Sequence, residues 1–137
     1  MMLHQATCIA LSGRGVLIEG PPGSGKSSLA LALIDRGAEL VGDDGVLLRA
    51  REGRLHAGPA PATAGLLEIR NLGILPRPHR TDCAIALVIA LDSAAPRFIA
   101  QAATRTLLGI TVPLVHLYPD SPVLALRAEA ALAHYGC

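Results

Sequence analysis

The fold of this chain is decided by the stretch Gly20-Pro21-Pro22-Gly23-Ser24-Gly25-Lys26-Ser27. The stretch fits the pattern G-x-x-x-x-G-K-[ST] at every fixed position. Its glycines let backbone N–H groups approach phosphate oxygens, Lys26 supplies a compact positive charge, and Ser27 supplies a hydroxyl for Mg²⁺. An apolar strand (residues 16–19) precedes it and an apolar helix (residues 28–36) follows it, as in nucleotide-binding proteins. We therefore predict that this P-loop, residues 20–27, and the adjoining Ser28 bind ATP.

The composition is that of an ordinary folded domain. Of 137 residues, 51% are apolar and 17% are charged, which excludes intrinsic disorder. Acidic and basic residues number 11 and 12, so charge gives no basis for binding nucleic acid or an anionic membrane. Lys26 is the only lysine beside eleven arginines, as expected if its position requires an ammonium group.

Signals for export, membrane insertion and disulfide formation are missing from the sequence. Residues 1–5 contain no basic stretch followed by an apolar core. The longest apolar run, residues 83–91, has nine residues, less than half of a membrane span. Three cysteines without a CxxC pair argue against a disulfide framework or a structural zinc site. These features predict a cytoplasmic protein.

Hydrophobic patterning predicts an α/β fold. Predicted strands cover residues 6–11, 16–19, 39–42, 84–91 and 111–117, and predicted helices cover 28–36, 98–108 and 122–134. Residues 46–49 and 54–56 suit a hairpin, 58–63 suit a loop, and 66–75 suit either a strand or a short helix followed by a turn. The early strand pair adds antiparallel character. We therefore predict one P-loop domain, residues 1–137, with a mixed sheet and helices packed on it.

Two positions, the pair Asp43-Asp44 and the single Asp92, compete for a role beside the P-loop. Asp43 and Asp44 end a predicted strand shortly after the P-loop helix, so they belong at the edge of the sheet where phosphates bind. There one carboxylate could contact Mg²⁺ and the other could accept a hydroxyl proton, although Asp-Asp-Gly also suits a solvated turn. Asp92 ends the apolar strand 84–91, where a metal-contacting aspartate is also common. The residues alone leave both positions open.

Glu68 and the histidines are more ambiguous. Glu68 lies in an apolar stretch and either pairs with Arg70 or contacts a metal ion, and the pattern favours the pair. His4 precedes the first strand and by itself suits a solvated position. The other four histidines have no metal-binding spacing and are expected to be structural or exposed.

Two segments give the chain a resemblance to a known family. The first is GVLIEGPPGSGKSSLALALIDRGAELVGDD, residues 15–44, with His4 upstream. The second is LLEIRNLGIL, residues 66–75, preceded by Ala60-Pro61. In this order the segments resemble the catalytic domain of HPr kinase/phosphorylase, the bacterial enzyme that phosphorylates a serine of the phosphocarrier protein HPr. The clear resemblance covers residues 4–75, about half of the chain.

The resemblance implies roles for the carboxylates. Asp43, with Asp44 beside it, takes the proton of the target serine in the kinase reaction and returns it in dephosphorylation. Glu68 joins Ser27 in holding Mg²⁺. Asp92 becomes a loop residue.

The resemblance also implies roles outside the carboxylates. His4 lies near Asp43 and supports its charge, and Arg70 contacts phosphate or the active site of a neighbouring subunit. The partner is HPr, and the assembly is a homo-oligomer, which in the family is a hexamer. The chain departs from the family pattern at Ser28, where an acidic residue is frequent, and between Pro76 and Asp82, where the family has a longer loop.

Two other functions fit a P-loop. A regulatory module could sense ATP and signal through a partner without phosphorylating HPr. A small-molecule kinase is disfavoured because the chain has no arginine-rich lid. Asp43 and Glu68 together favour the protein kinase, because a sensor has no need for a base.

Overall fold

A computed structural model describes all residues 1–137 and contains eleven strands and two α-helices. The strands are β1 (Met2–His4), β2 (Thr7–Leu11), β3 (Arg14–Glu19), β4 (Glu39–Gly42), β5 (Val46–Arg51), β6 (Arg54–Pro59), β7 (Leu66–Ile69), β8 (Gly73–Pro76), β9 (Cys83–Leu91), β10 (Ala103–Leu107) and β11 (Ile110–Leu117). The helices are α1 (Lys26–Asp35) and α2 (Leu124–Tyr135). Neither helix is long and apolar enough to cross a bilayer.

Nine strands form one mixed sheet, which confirms the predicted α/β class. The strand order is β1-β5-β6-β9-β3-β2-β4, and β11 joins beside the carboxyl half of β9 and carries β10. Strand β9 pairs in parallel with β3 and β11 and antiparallel with β6. The hairpin of β7 and β8 is a separate two-stranded sheet. The central strand β9 is buried along almost its whole length, as its uninterrupted apolar run predicts.

The sheet separates two apolar layers. Alternate residues of β3 show the division. Val16 and Ile18 face α1 and α2, whereas Leu17 faces the second layer, to which apolar residues of β5 and β6 also belong. Eighteen buried residues form the helix-side layer and fourteen form the other. Helix α1 is apolar on most of its surface and buries Leu29, Ala30 and Leu33.

The topology brings the P-loop and the aspartate pair to one edge. Strands β3 and β4 both run antiparallel to β2, so they are parallel to each other. The P-loop follows β3, and Asp43 follows β4, at the same end of the sheet. Asp43 therefore lies at the same edge of the sheet as the P-loop, as its position at the end of a predicted strand indicates.

The predicted helix over residues 98–108 is wrong. Residues 98–102 have no regular structure, and Ala103–Leu107 form strand β10 in a hairpin with β11. Leu108 and Gly109 make the turn with φ of 52° and 76°, a backbone shape that favours hairpins. Pairing with β11 and the β-branched Thr104 and Thr106 outweigh the local helical pattern.

Three short segments were predicted from the sequence only in part or not at all. The predicted loop 58–63 begins as strand, because β6 extends to Pro59, and it continues as a single 3-10 turn, Pro61–Thr63. Of the two alternatives for residues 66–75, the strand is the one observed, because these residues form the β7–β8 hairpin with Asn71 at φ 74° in its turn. Strand β1 was not predicted, since it has only three residues.

Candidate active site

The P-loop wraps around the amino end of α1. Gly25 caps the helix with φ of 101°, a conformation that residues with a Cβ avoid. Lys26 Nζ donates hydrogen bonds to the backbone oxygens of Gly20 at 2.8 Å and Pro21 at 3.3 Å. Ser24 Oγ is buried without a hydrogen-bond partner. The loop therefore presents an ammonium group and helix N–H groups to one space, as a phosphate site requires, whereas the Ser24 hydroxyl lies inside the loop beside Gly20.

Asp43 is tied to three neighbouring elements. Its side chain is only 4% exposed. Oδ1 accepts hydrogen bonds from Ser27 Oγ at 2.7 Å and Thr7 Oγ1 at 2.8 Å, and Oδ2 accepts one from the backbone N–H of Glu68 at 2.9 Å. The carboxylate therefore has one fixed orientation, in direct contact with the P-loop serine.

These residues surround a cleft of about 240 Å³ with no large apolar side chain in its lining. The lining residues are Thr7, Pro22, Gly23, Gly25, Lys26, Ser27, Ser28, Asp43, Asp44, Glu68 and Arg70. Three of the four residues predicted as catalytic, Asp43, Asp44 and Arg70, are among them, as is the predicted metal ligand Glu68. A cleft this polar suits a charged phosphate chain and its counter-ion.

Strand β7 carries Glu68 to the cleft, and Arg70 follows directly after the last residue of this strand. Leu67 is fully buried against the helix-side layer, so its neighbour Glu68 faces the other way, into the cleft. Glu68 and Arg70 form no ion pair. The structural pair that the sequence pattern favoured is therefore wrong, and both side chains remain available to ligands.

The oxygen donors fit Mg²⁺ bound together with a nucleotide. Ser27, Glu68 and the two aspartates offer hard oxygen ligands around one cleft. No group of three or more His, Cys, Asp or Glu side chains converges as a complete metal site. Mg²⁺ commonly binds through one or two carboxylates plus substrate phosphates rather than through a cage of protein ligands.

The side chain of His4 forms its hydrogen bond with Glu19 and none with Asp43. Its Nε2 lies 2.7 Å from Oε2 of Glu19, the last residue of β3, and Arg105 donates to Oε1. Burial alone would raise the pKa of Glu19, but the hydrogen bond from His4 and the charge and hydrogen bond of Arg105 lower this pKa below its usual value. His4 does not line the cleft.

Asp92 lies outside the cleft as well. Its Oδ1 accepts a hydrogen bond from the N–H of Ala94 at 2.8 Å, and its Oδ2 lies 3.1 Å from His116 Nδ1. The loop role implied by the resemblance agrees with these contacts. His56 is likewise in a surface contact, 3.3 Å from Asp82.

Sequence reasoning missed Thr7 and Glu19. Thr7 is a fully buried hydroxyl residue in an otherwise apolar strand, and this isolated polar residue is a signal that could have been read. Glu19 directly precedes the P-loop at the end of an apolar strand, which is also an unusual place for a carboxylate.

A family model described as the HPr serine kinase C-terminal domain matches residues 1–120. Among curated proteins, the HPr kinase/phosphorylase of Limosilactobacillus reuteri is 34% identical over 141 aligned positions, which cover 93% of this chain and 44% of that protein. The HPr kinase/phosphorylase of Clostridium tetani is 48% identical over 66 residues, 48% of this chain and 22% of that protein. The chain thus spans less than half the length of these relatives.

The fold is similar to that of a solved structure from Coxiella burnetii, described as an Hpr(Ser) kinase/phosphatase. The TM-score is 0.86 at 28% sequence identity, and the match covers 97% of this chain and 89% of that one. The similarity therefore extends well beyond residues 4–75, where the sequence resemblance is clear.

Proposed function

Because the chain belongs to the family of the HPr serine kinase C-terminal domain, we propose that it is an ATP- and Mg²⁺-dependent protein serine kinase whose substrate is the phosphocarrier protein HPr. The observation that carries the proposal is the contact between the P-loop and Asp43. Ser27 Oγ and Asp43 Oδ1 are 2.7 Å apart, so a group that could receive a proton lies beside the serine expected to face the terminal phosphates.

The residues of the cleft divide the binding of ATP between them. The N–H groups of the P-loop and Lys26 hold the phosphates, and Lys26 exchanges its contacts with Gly20 and Pro21 for phosphate oxygens. Ser27 and Glu68 would hold Mg²⁺, which neutralises charge on the β- and γ-phosphates when bound. Arg70 is exposed at the rim of the cleft and supplies a further positive charge for phosphate.

Transfer uses Asp43 as the proton acceptor. The serine oxygen of HPr forms a bond to the γ-phosphorus, the bond from that phosphorus to the β–γ bridging oxygen breaks, and ADP leaves. The serine proton passes to Asp43, whose orientation Thr7 and the N–H of Glu68 fix. In the reverse reaction an oxygen of inorganic phosphate forms a bond to the phosphorus of phosphoserine, the serine O–P bond breaks and pyrophosphate leaves, while Asp43 passes a proton to the serine oxygen. Asp44 is exposed beside it without a hydrogen bond, which makes it the second candidate for the base.

The test is incubation with HPr, labelled ATP and Mg²⁺, with phosphoserine read by mass spectrometry. We expect phosphoserine with the native chain and none with Lys26→Ala, since the only lysine supplies the phosphate contact. Thermal melting and circular dichroism check that the variant folds. ATP binding without phosphorylation of HPr would contradict the proposal and favour the ATP-sensing regulatory module.

We also propose a homo-oligomer, as the resemblance implies, in the cytoplasm, as the sparse cysteines and the lack of an export signal predict. Sedimentation velocity at several protein concentrations tests the assembly. A monomer throughout the micromolar range would overturn it.

A further inference from the structure

Glu19 is a buried carboxylate that the proposed reaction does not use. It is the last residue of β3, directly before Gly20, and is 8% exposed. Both of its oxygens are occupied, Oε2 by His4 at 2.7 Å and Oε1 by Arg105. A buried carboxylate held by an imidazole and a guanidinium is costly to leave unpaired. Three elements, β1, β3 and β10, are therefore joined at the base of the P-loop.

The segment that begins at His4 also reaches the proposed base. The backbone oxygen of Ala6 accepts a hydrogen bond from the N–H of Gly45 at 3.0 Å, and Thr7 Oγ1 donates to Asp43 at 2.8 Å. Residues 4–7 are thus attached at one end to the base of the P-loop. At the other end they are attached to Asp43 and to the turn that follows it.

We propose that residues 4–7 are a strut that fixes the position of Asp43 relative to the P-loop. Glu19 holds the strut through its contact with His4, and Arg105 holds the Glu19 carboxylate in place. His4, Glu19 and Arg105 are then positioning residues for the proposed phosphotransfer, and the inference rests on that function. His4 acts through Glu19, since its hydrogen bond goes to that carboxylate and not to Asp43.

The strut predicts which step suffers when it is broken. Reacting atoms must lie about 3–3.5 Å apart, and a displacement of about 1 Å can cost about 100-fold in rate. ATP binds through the P-loop N–H groups and Lys26. The side chain of Glu19 is bonded to neither, because its oxygens are paired with His4 and Arg105. Loss of the strut should therefore lower kcat far more than it weakens ATP binding.

The experiment compares His4→Gln, Glu19→Gln and their double variant with the native chain. The readouts are kcat for HPr phosphorylation, the Kd for ATP by calorimetry, and thermal melting. We expect each single variant to lose about 10- to 100-fold in kcat with a Kd within about threefold of native. We also expect the double variant to be no worse than the more severe single variant, because both residues belong to one contact. Arg51→Gln, which breaks the exposed ion pair of 3.2 Å with Asp82, is the matched control and should leave kcat unchanged.

Several results would overturn the strut. One is an unchanged kcat in both single variants, and another is a loss of ATP affinity equal to the loss of kcat. A third is a double variant whose loss is the product of the single losses. A shift of the acid side of the pH–rate profile in His4→Gln alone would place His4 on Asp43 instead. If Glu19→Gln does not fold, Arg105→Gln takes its place, with the same split between kcat and Kd expected.

A failure of the proposed function can be distinguished from a failure of the strut. If the native chain does not phosphorylate HPr, amide hydrogen exchange tests the strut without any activity. In Glu19→Gln, exchange should then be faster at residues 43–45 as well as at the P-loop. Faster exchange confined to the P-loop, or no change in either segment, would show that Glu19 does not transmit position to Asp43.

Discussion

Ser27 Oγ donates a hydrogen bond of 2.7 Å to Asp43 Oδ1, which joins the first turn of α1 to the residue that follows β4. Sixteen positions separate the two residues in the sequence. The contact puts the hydroxyl expected to bind Mg²⁺ and the carboxylate expected to receive a proton on one side of the cleft. When Ser27 turns toward a metal ion, Asp43 keeps its other two donors, Thr7 and the N–H of Glu68.

Replacing Ser27 by alanine should raise the Mg²⁺ requirement. The variant loses an oxygen ligand and the donor to Asp43, so we expect the apparent Mg²⁺ affinity to fall at least about tenfold. Titration of activity with Mg²⁺ at saturating ATP measures it. Ser93→Ala, in the exposed loop after β9, is the control and should behave as the native chain. An unchanged Mg²⁺ dependence in Ser27→Ala would remove this residue from the metal site.

Asp43→Asn and Asp44→Asn should separate the two aspartates. An asparagine at position 43 cannot take the serine proton, and its NH₂ group would face a donor, either the N–H of Glu68 or a hydroxyl. We therefore expect a loss of about 10²- to 10⁴-fold in kcat and a loss of about 1–3 kcal/mol in stability. Asp44→Asn, at an exposed position, should preserve stability and lose less activity.

Rapid-quench kinetics and urea unfolding measure both effects. If Asp44→Asn abolishes transfer while Asp43→Asn retains it, the base is Asp44, and Asp43 serves only to orient the P-loop serine.

The core of the fold was predictable because local pattern and tertiary packing agree there. Strands β2, β3, β4, β9 and β11 and both helices lie where apolar periodicity predicts them. Strand β10 was not predictable, because its pairing with β11 and the turn at Leu108 decide its conformation. That partnership leaves no periodic signal in residues 103–107, which are mostly half-exposed or exposed.

The cleft was also largely predictable, since chain order and the strand-end rule bring Asp43 to the P-loop. Contacts on the face of the sheet opposite the helices were not predictable. Glu19 meets Arg105 across 86 positions, and the meeting depends on where the β10–β11 hairpin joins the sheet beside β9. The resemblance likewise did not give His4 its partner, because Glu19 can be identified as that partner only from the folded chain.

Stability should fall in acid through Glu19. Its pKa is lower in the folded chain than in the unfolded one, so the unfolded chain takes up the proton first as the pH falls. The stabilising contribution is therefore fully present above the ordinary glutamate pKa of about 4.3 and is lost as the pH drops through the lower folded value. Urea unfolding at several pH values should show the native chain more stable than Glu19→Gln near neutrality, with the gap closing in acid. A gap independent of pH would contradict the ionised pair.

Arg70→Gln should weaken the binding of phosphate groups. Arg70 lines the cleft and has no protein partner for its charge, so its guanidinium is free to contact a ligand. Loss of a charged hydrogen bond of about 1.5–3 kcal/mol should raise KM for ATP or phosphorylated HPr by about 10- to 100-fold. Arg54→Gln, exposed in the β5–β6 hairpin, is the control. Equal effects of the two variants would mean that only the total charge matters.

Leu67 should support the site from behind, since its burial directs Glu68 into the cleft. Leu67 is fully buried in the layer beneath α1, so Leu67→Ala should cost about 2–5 kcal/mol in unfolding free energy. Leu72, in the turn of the same hairpin, is 72% exposed, and Leu72→Ala should stay within about 0.5 kcal/mol of the native value. At a temperature where both variants remain folded, Leu67→Ala should also show a lower apparent Mg²⁺ affinity, because Glu68 loses its fixed position. A destabilised Leu67→Ala with native Mg²⁺ affinity would show that the hairpin holds Glu68 without this contact.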